Sequence, residues 1–529
     1  MNSSMVSKPN KKRKTNQNPE TTFLINLQSC SKSKDLRSAI SLYESALSQN
    51  LRLSLHHFNA LFYLCSTSAT DPSCKDLALS YGFRLFDYML SNNVNPNEAS
   101  VTSVARLAAT KNDGCYAFEL IKRMHVEYGV VPRLRTYDPA LFCFCENLEA
   151  ENAYEVEEHM ALMGVVLEEQ EIAALLKVSA VTGRGERVYQ YLHKLRSSVR
   201  WVNEETGKII EDWFCSNYGS EVKGVNSDMG LLKEAVAKNG GGWHGLGWIG
   251  EGNWVMKRGN VHENGQCCCC GEQLACVDID DAETEKFSQS VAGLAMEREV
   301  KANFSEFQDW LEKHDDYEAI VDGANIGLYQ QNFAEGGFSI PQLDAVVKEL
   351  YNRSGNKWPL VILHNKRLRS LLENPSYRNL VEEWMDKGVL YMTPHGSNDD
   401  WYWLYAAVKL RCLLVTNDEM RDHIFELLGS NFFLKWKERH QVHYTLVKGK
   451  LKLQMPPPYS FVIQESEKGS WHVPISAKSN KSSQSWLCIT RPSVCESRDE
   501  ALANEGTLEN GDAFCCNSKT SNSCKSLRS

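Results

Sequence analysis

The sequence predicts a multidomain α plus α/β protein: an α-helical repeat solenoid, a small Cys-rich β module, and a Rossmann-like doubly wound domain. Three observations carry this. A turn segment recurs at Asn50, Asn93, Gly129 and Gly164, at spacings of 43, 36 and 35 residues, with two helical apolar patterns per interval. Residues 219–282 are rich in Gly, Trp and Cys and break that pattern. Beyond them, short apolar runs alternate with helical periodicity, as a parallel sheet covered on both faces requires.

The first 20 residues are polar and carry Lys11-Lys12-Arg13-Lys14. This resembles a nuclear localisation signal, so the nucleus is the expected compartment. An apolar signal core and an Arg-rich amphipathic transit peptide are both missing from this stretch. No run of about 18 apolar residues occurs, so no membrane span is expected. Eighteen cysteines in a chain of 529 residues without a secretion signal point to a reduced compartment. Most, such as Cys65, Cys143 and Cys412, fall in apolar runs and read as core. The net charge of −9 does not advertise nucleic-acid binding, but local basic patches matter more than the total.

The repeats occupy residues 21–218. The long first interval is explained by a polar insertion at 66–75. After the turns come helical patterns such as Phe58-Asn59-Ala60-Leu61-Phe62, and a second helix follows, as over residues 77–90. Two helices per ~35 residues make a helical-hairpin solenoid. The form Phe/Tyr-Asn/Asp-x-x-Leu, then Ala-x-x-Leu-Phe-x-x-Met, then Val-x-Pro resembles the pentatricopeptide repeat; a tetratricopeptide-like protein scaffold is the alternative. Asn59, Thr102, Asp138 and Ala173 hold equivalent positions. In the pentatricopeptide family that column faces RNA, so Asn59, Thr102 and Asp138 are candidate substrate contacts. Thr102 and Ala173 are poor base readers, which favours recognition of RNA shape over a linear code.

In the central module, Cys267 and Cys270 have the C-x-x-C spacing that lets two thiolates take one edge of a tetrahedral Zn²⁺. A second half is offered far downstream by His472 in Trp471-His472-Val473-Pro474 and by Cys488, in strand-like segments after Pro456-Pro457-Pro458. Such a site would join residues 219–282 to 457–490 and make 283–456 an insertion. Cys276 is an alternative ligand, and free thiols or a redox pair are alternative fates.

The inserted domain shows apolar strands at 319–322, 360–364, 389–392 and 413–418, with helices at 340–351, 377–387, 400–410 and 420–428. Glycine loops of the G-x-G-x-x-G or Walker type are absent. Two strands stop at aspartates, Asp322 and Asp418, and Asp399-Asp400 open a helix capped by Ser397 or Asn398. Each aspartate alone reads as a cap or turn residue. Four converging carboxylates would repel, at ~4 Å by a few kcal/mol, unless a cation lies among them. An all-oxygen donor set selects Mg²⁺ or Mn²⁺, and such a site suits phosphodiester hydrolysis. His364, at a strand end, and Arg367, with Lys366 and Arg369, are candidate substrate contacts. Lys435, Lys437, Arg439 and His440 form a second basic cluster.

The stretches Val321-Asp322-Gly323-Ala324-Asn325, Ser397-Asn398-Asp399-Asp400-Trp401-Tyr402-Trp403 and Val415-Thr416-Asn417-Asp418 resemble the NYN-type (PIN-like) metallonuclease domain of protein-only ribonuclease P. Repeats, split module and nuclease occur in the same order in that family, and the plant nuclear members are the nearest in kind. The resemblance implies two Mg²⁺ or Mn²⁺ ions held by Asp322, Asp399, Asp400 and Asp418, with Asp422 as a further acid. It also implies one structural Zn²⁺ held by Cys267, Cys270, His472 and Cys488. The implied reaction removes the 5′ leader of precursor tRNA by metal-activated water, leaving a 5′-phosphate and a 3′-hydroxyl. A monomer needing no RNA subunit and no membrane is expected. The rivals are an endonuclease of the same fold acting on messenger or other structured RNA, and a non-catalytic RNA-binding protein. Residues 491–529 are Ser/Asn/Glu-rich and read as a disordered tail.

Overall fold

A computed structural model describes residues 19–224, 228–277, 279, 281–298, 304–331, 337–420, 430–447, 449–476 and 485–491. The basic cluster at 11–14, the tail from 492 onward and Asp422 lie outside the described residues. The chain divides into two compact units, Met1–Lys194 and Leu195–Ser529. No described helix is long and apolar enough to cross a membrane.

The first unit is built of successive helix pairs: Pro19–Ser33 with Leu36–Ser48, Leu55–Ser68 with Lys75–Ser91, Glu98–Thr110 with Gly114–Tyr128, and Leu134–Glu146 with Ala150–Leu162. Glu169–Val181 and Gly185–Ser198 follow. The recurring turn has a conformational cause. Asn50, Asn93, Gly129 and Gly164, the residues that open it, are all left-handed, with φ of 51°, 54°, 64° and 69°. Asn and Gly tolerate that region, which ends a helix and releases the chain into the next pair. The helices then begin on side-chain caps such as Asp35, Asn97 and Asp113.

The contact division falls earlier than the boundary drawn at 218 from the repeat pattern. Val202 N–H donates to Pro474 O at 3.0 Å, and Gly207, in the helix Glu204–Cys215, lies against Ile475. This helix therefore packs on the central module. Its helical periodicity looks like one more repeat, and only the tertiary contact separates it.

The second unit holds two sheets. Strands β1 (Val255–Gly259), β8 (Gln464–Glu465), β9 (Trp471–Ile475) and β10 (Ser485–Thr490) form an antiparallel sheet in the order β1-β10-β9-β8. Segments over 200 residues apart in sequence thus share one sheet, as a split module requires. Between them, β2 (Ala319–Asp322), β3 (Leu360–His364), β4 (Leu390–Thr393), β5 (Leu413–Val415), β6 (Gln441–Val447) and β7 (Lys450–Gln454) form a sheet in the order β4-β3-β2-β5-β6-β7. All pairs are parallel except β6–β7. The α/β domain is thus doubly wound with an antiparallel edge hairpin.

Both faces of the central strands are buried, which explains their continuous apolar runs. Ile320, Leu360, Ile362 and Leu414 face a core with Phe307, Trp401 and Trp403. Val321, Val361, Leu363 and Val415 face another with Leu343, Val347 and Trp384. The strand order reverses between β2 and β5, and ligands of such sheets bind beyond the carboxyl ends at that reversal.

Candidate metal centre and zinc-type cluster

Asp322 ends β2 at the reversal and is 5 % exposed. It caps the helix Gly323–Leu328: Asn325 N–H donates to its Oδ1 at 2.9 Å, and Thr416 Oγ1 donates to its Oδ2 at 2.9 Å. Gly323 is required beside it, because a Cβ there would sit 2.8 Å from Ile362 O. Asp399 and Asp400 open the helix Asp399–Lys409, anchored below them by the buried run Trp401-Tyr402-Trp403. Thr393 Oγ1 donates to Asp399 Oδ1 at 2.5 Å, and Asp400 N–H donates to Asn398 Oδ1 at 3.2 Å. Asp418 follows β5; its Oδ1 accepts from Met420 N–H at 2.8 Å.

The carboxyls act on one another. Burial pushes Asp322 up to about 7 against the hydrogen bonds from Asn325 and Thr416, and Asp400 and Asp399 add a smaller repulsion. Burial pushes Asp400 up to about 6, with Asp418 and Asp399 behind it. Burial also raises Asp399, against the hydroxyl of Thr393 and the charge of His364. Buried, mutually repelling carboxylates with an all-oxygen donor set fit a hard divalent cation, which would restore their charged forms.

Asn398 is the cap the sequence offers for Asp399 and Asp400, but the sequence does not single out the other residues that hold these acids. Thr416 Oγ1, besides serving Asp322, accepts from Asp418 N–H at 3.1 Å, so one hydroxyl joins two of the acids. Asn325 Oδ1 accepts from Asn417 N–H at 3.0 Å and from Tyr444 OH at 2.7 Å. Gln441 Nε2 donates to the carbonyls of Thr416 and Asp418 at 3.0 and 2.9 Å. The loops after β2 and β5 are thereby fastened to β6. The signal available in sequence was the polar residue beside each aspartate, Asn325, Thr416 and Asn417.

His364 ends β3 and caps the helix Asn365–Glu373, its Nδ1 accepting from Lys366 N–H at 3.1 Å. Its ring lies 6.2 Å from that of His395. The Arg367 guanidinium lies over the Phe338 ring at 5.9 Å. In the solenoid, Asn59 bonds Asn97 at 3.2 Å and Ser100 at 2.6 Å. Thr102 is 4 % exposed; its hydroxyl bonds Glu98 in its own helix at 3.1 Å and lies 3.3 Å from Thr136 Oγ1 of the next repeat, so it serves the packing of successive repeats. Asp138 is half-buried, with one carboxylate oxygen lacking a partner.

The other cluster converges more tightly. The ligand atoms of Cys267, Cys270, His472 and Cys488 all lie within 4.8 Å of one another. Among the described residues no other set of three or more His, Cys, Asp or Glu side chains meets that test, so the aspartates stand further apart. His472 and Cys488 are cross-strand partners on β9 and β10. Cys267 and Cys270 come from a tight turn closed by Gly271 N–H to Cys267 O at 2.9 Å. Cys270 Sγ lies 3.2 Å from His472 Nε2, and the neighbouring thiols Cys270 and Cys488 hold Cys267 well below the usual thiol range. Three sulfurs and one imidazole nitrogen, buried beside Tyr459 and Trp486, are a tetrahedral zinc donor set. Cys276 is elsewhere, bonded to Arg439, and Cys268 points outward to accept from Asn260 N–H at 3.1 Å.

Two family models match the chain: the pentacotripeptide-repeat region of PRORP over residues 10–221 and protein-only RNase P over residues 261–488. The chain is 64 % identical to Proteinaceous RNase P 2 of Arabidopsis thaliana over 504 residues, covering 93 % of this chain and 96 % of that protein. It is 64 % identical to Proteinaceous RNase P 3 of the same plant over 498 residues, covering 92 % and 86 %. The crystal structure of nuclear proteinaceous RNase P 2 from A. thaliana superposes with a TM-score of 0.85, over 90 % of this chain and all of that one.

Proposed function

This chain belongs to the protein-only RNase P family, and from that premise we propose that it removes the 5′ leader of precursor tRNA, with Asp322, Asp399, Asp400 and Asp418 as its catalytic acids. The observation that carries the site is the buried carboxyl of Asp322 at the strand-order reversal, acted on by Asp399 and Asp400. Divalent magnesium or manganese, two ions when fully loaded, supplies water activation and charge neutralisation. The chain's own residues do the positioning. Thr416 and Asn325 fix both oxygens of Asp322, Thr393 fixes Asp399, and Asn398 sets the backbone of Asp400. Water attacks phosphorus and the bond to the leader's 3′-oxygen breaks, so the tRNA keeps a 5′-phosphate and the leader a 3′-hydroxyl. Asp422 is a further acid in this reading.

The Cys267, Cys270, His472 and Cys488 cluster takes one zinc ion and clips the two halves of the central module. The repeats contact the tRNA through the column of Asn59 and Asp138, and His364 and Arg367 meet the substrate near the cut. The protein acts as a monomer without an RNA subunit, in the nucleus, in keeping with the 64 % identity to the relative whose crystal structure is described as nuclear.

Asp399→Ala tests the assignment. Cleavage of precursor tRNA, mapped to the nucleotide, is expected to vanish while tRNA binding stays within a few-fold. Undiminished cleavage refutes it.

A further inference from the structure

Within the unit Leu195–Ser529, a cavity of about 1120 Å³ opens at the amino end of the six-stranded sheet. Arg411, which precedes β5, and the last turns of the helix Ser430–His440 form one wall. Asp418 follows β5, so the cavity faces away from the aspartates. Trp243 of the central module and Arg196 also line it. Nucleotide-sized ligands occupy sites of roughly 300–1,000 Å³.

We propose that this cavity binds a nucleotide, a base carrying phosphate, supplied either free or within a single-stranded RNA. Arg196, Lys435 and Arg439 line it together with Lys238 and Arg411, and hydrogen bonds orient the first three. Arg196 Nη2 donates to Gly241 O at 3.0 Å, Lys435 Nζ donates to Ser197 O at 2.9 Å, and Arg439 Nη1 bonds Cys276 Sγ and Val277 O. The acceptors Gly241 O, Ser197 O and Val277 O are neutral backbone carbonyls. Of the acids lining it, Asp281 pairs with Arg411 and Glu438 with Arg200, while Glu283 acts on Lys435. Burial pushes Lys435 down, and Arg196 pushes it further, against an opposing effect from Glu283. Burial pushes Arg196 down to about 10, with Glu465 opposing. Cations facing one another across a partly desolvated space bind phosphate strongly, because the anion removes their mutual repulsion.

The aromatic wall selects what carries the phosphate. The Arg196 guanidinium lies 5.0 Å from the centre of the Trp243 ring, and Trp243 Nε1 is fixed by Asn239 O at 3.1 Å. An oriented indole beside a guanidinium suits a stacked base with its phosphate at the cation.

Equilibrium dialysis of the full chain, without added magnesium or manganese, against labelled ATP and a short labelled oligouridylate tests this. Saturable binding of either is expected, and the tighter ligand identifies the source. Lys435→Gln should weaken it about tenfold, Lys435→Arg should retain it, and Asp400→Asn should leave it unaltered. Arg439→Gln provides the same comparison should Lys435→Gln melt early. No saturable binding of either ligand, equal affinity in a folded Lys435→Gln, or loss in Asp400→Asn overturns the proposal. None of these outcomes depends on whether the aspartates cut tRNA.

Discussion

At the scale of single residues, acids of the site are held by polar neighbours, Asp322 by Thr416 and Asn325, Asp399 by Thr393 and Asp400 by Asn398. An apolar strand that stops at Asp322 announces itself, whereas the hydroxyl of Thr416 does so only once β5 lies beside β2. Arg491 makes the same point. It falls one residue past the boundary drawn at 490, where the composition turns polar. Yet it is 7 % exposed, and its guanidinium donates to the carbonyls of Gly219, Ser220, Val222, Gly250 and Gly252. An arginine at the head of a polar tail carries no sign that it will satisfy a fan of backbone oxygens. Asp138 yields a prediction at this scale. Burial, and then Glu171, pushes its carboxyl from 3.8 up to about 6. The unfolded chain therefore releases this proton at lower pH than the folded one. Its contribution to stability falls as pH rises from about 4 to about 6 and is constant above that. Asp138→Asn should abolish that fall, so the variant gains on the parent chain above pH 6. Urea midpoints measured from pH 4 to 7 decide it; parallel curves for the two proteins would count against the shifted carboxyl.

At the scale of elements, what was legible depended on sequence separation. The parallel strands declared themselves as apolar runs because both faces are buried. The β6–β7 hairpin, half-exposed at the sheet edge, alternates polar and apolar residues around Gly449 and was passed over. Cys267 and Cys270 were visible as a local spacing. Their partners His472 and Cys488 were legible only as candidates, because Cys270 and His472 are 202 residues apart and it is the pairing of β9 with β10 that aligns His472 with Cys488. The resemblance to a known family strengthened that pairing over the alternatives of Cys276, free thiols or a redox pair. The clip's energetics follow from the same separation. A metal joining the turn 267–270 to β9 and β10 closes a very long loop, and structural zinc contributes folding energy directly. Cys270→Ala, or chelation, should lower the melting temperature by several degrees while leaving the cleavage rate of the still-folded fraction near that of the parent. A melting curve that does not move would remove the metal from this cluster.

At the scale of the whole molecule, a chain of net charge −9 is assigned a polyanionic substrate. The total charge misleads because divalent cations held at the site would offset its acids and because basic side chains are grouped. The helix Asn365–Glu373 begins directly after β3, at the same carboxyl edge as Asp322, and presents exposed Lys366 and Arg369 beside Arg367. Phosphates of a bound tRNA meeting such patches release condensed counterions, and the affinity then falls with salt by roughly 0.7–0.9 log units per contact per decade. Binding of precursor tRNA, measured by anisotropy in calcium so that cutting is suppressed, should therefore weaken steeply from low to high KCl. A double variant, Lys366→Gln with Arg369→Gln, should flatten the slope by roughly 1.4–1.8 while the parent and variant curves converge at high salt. Uniform weakening at every salt concentration would instead mean that the two side chains support the fold, and an unchanged slope would place the phosphates elsewhere on the molecule.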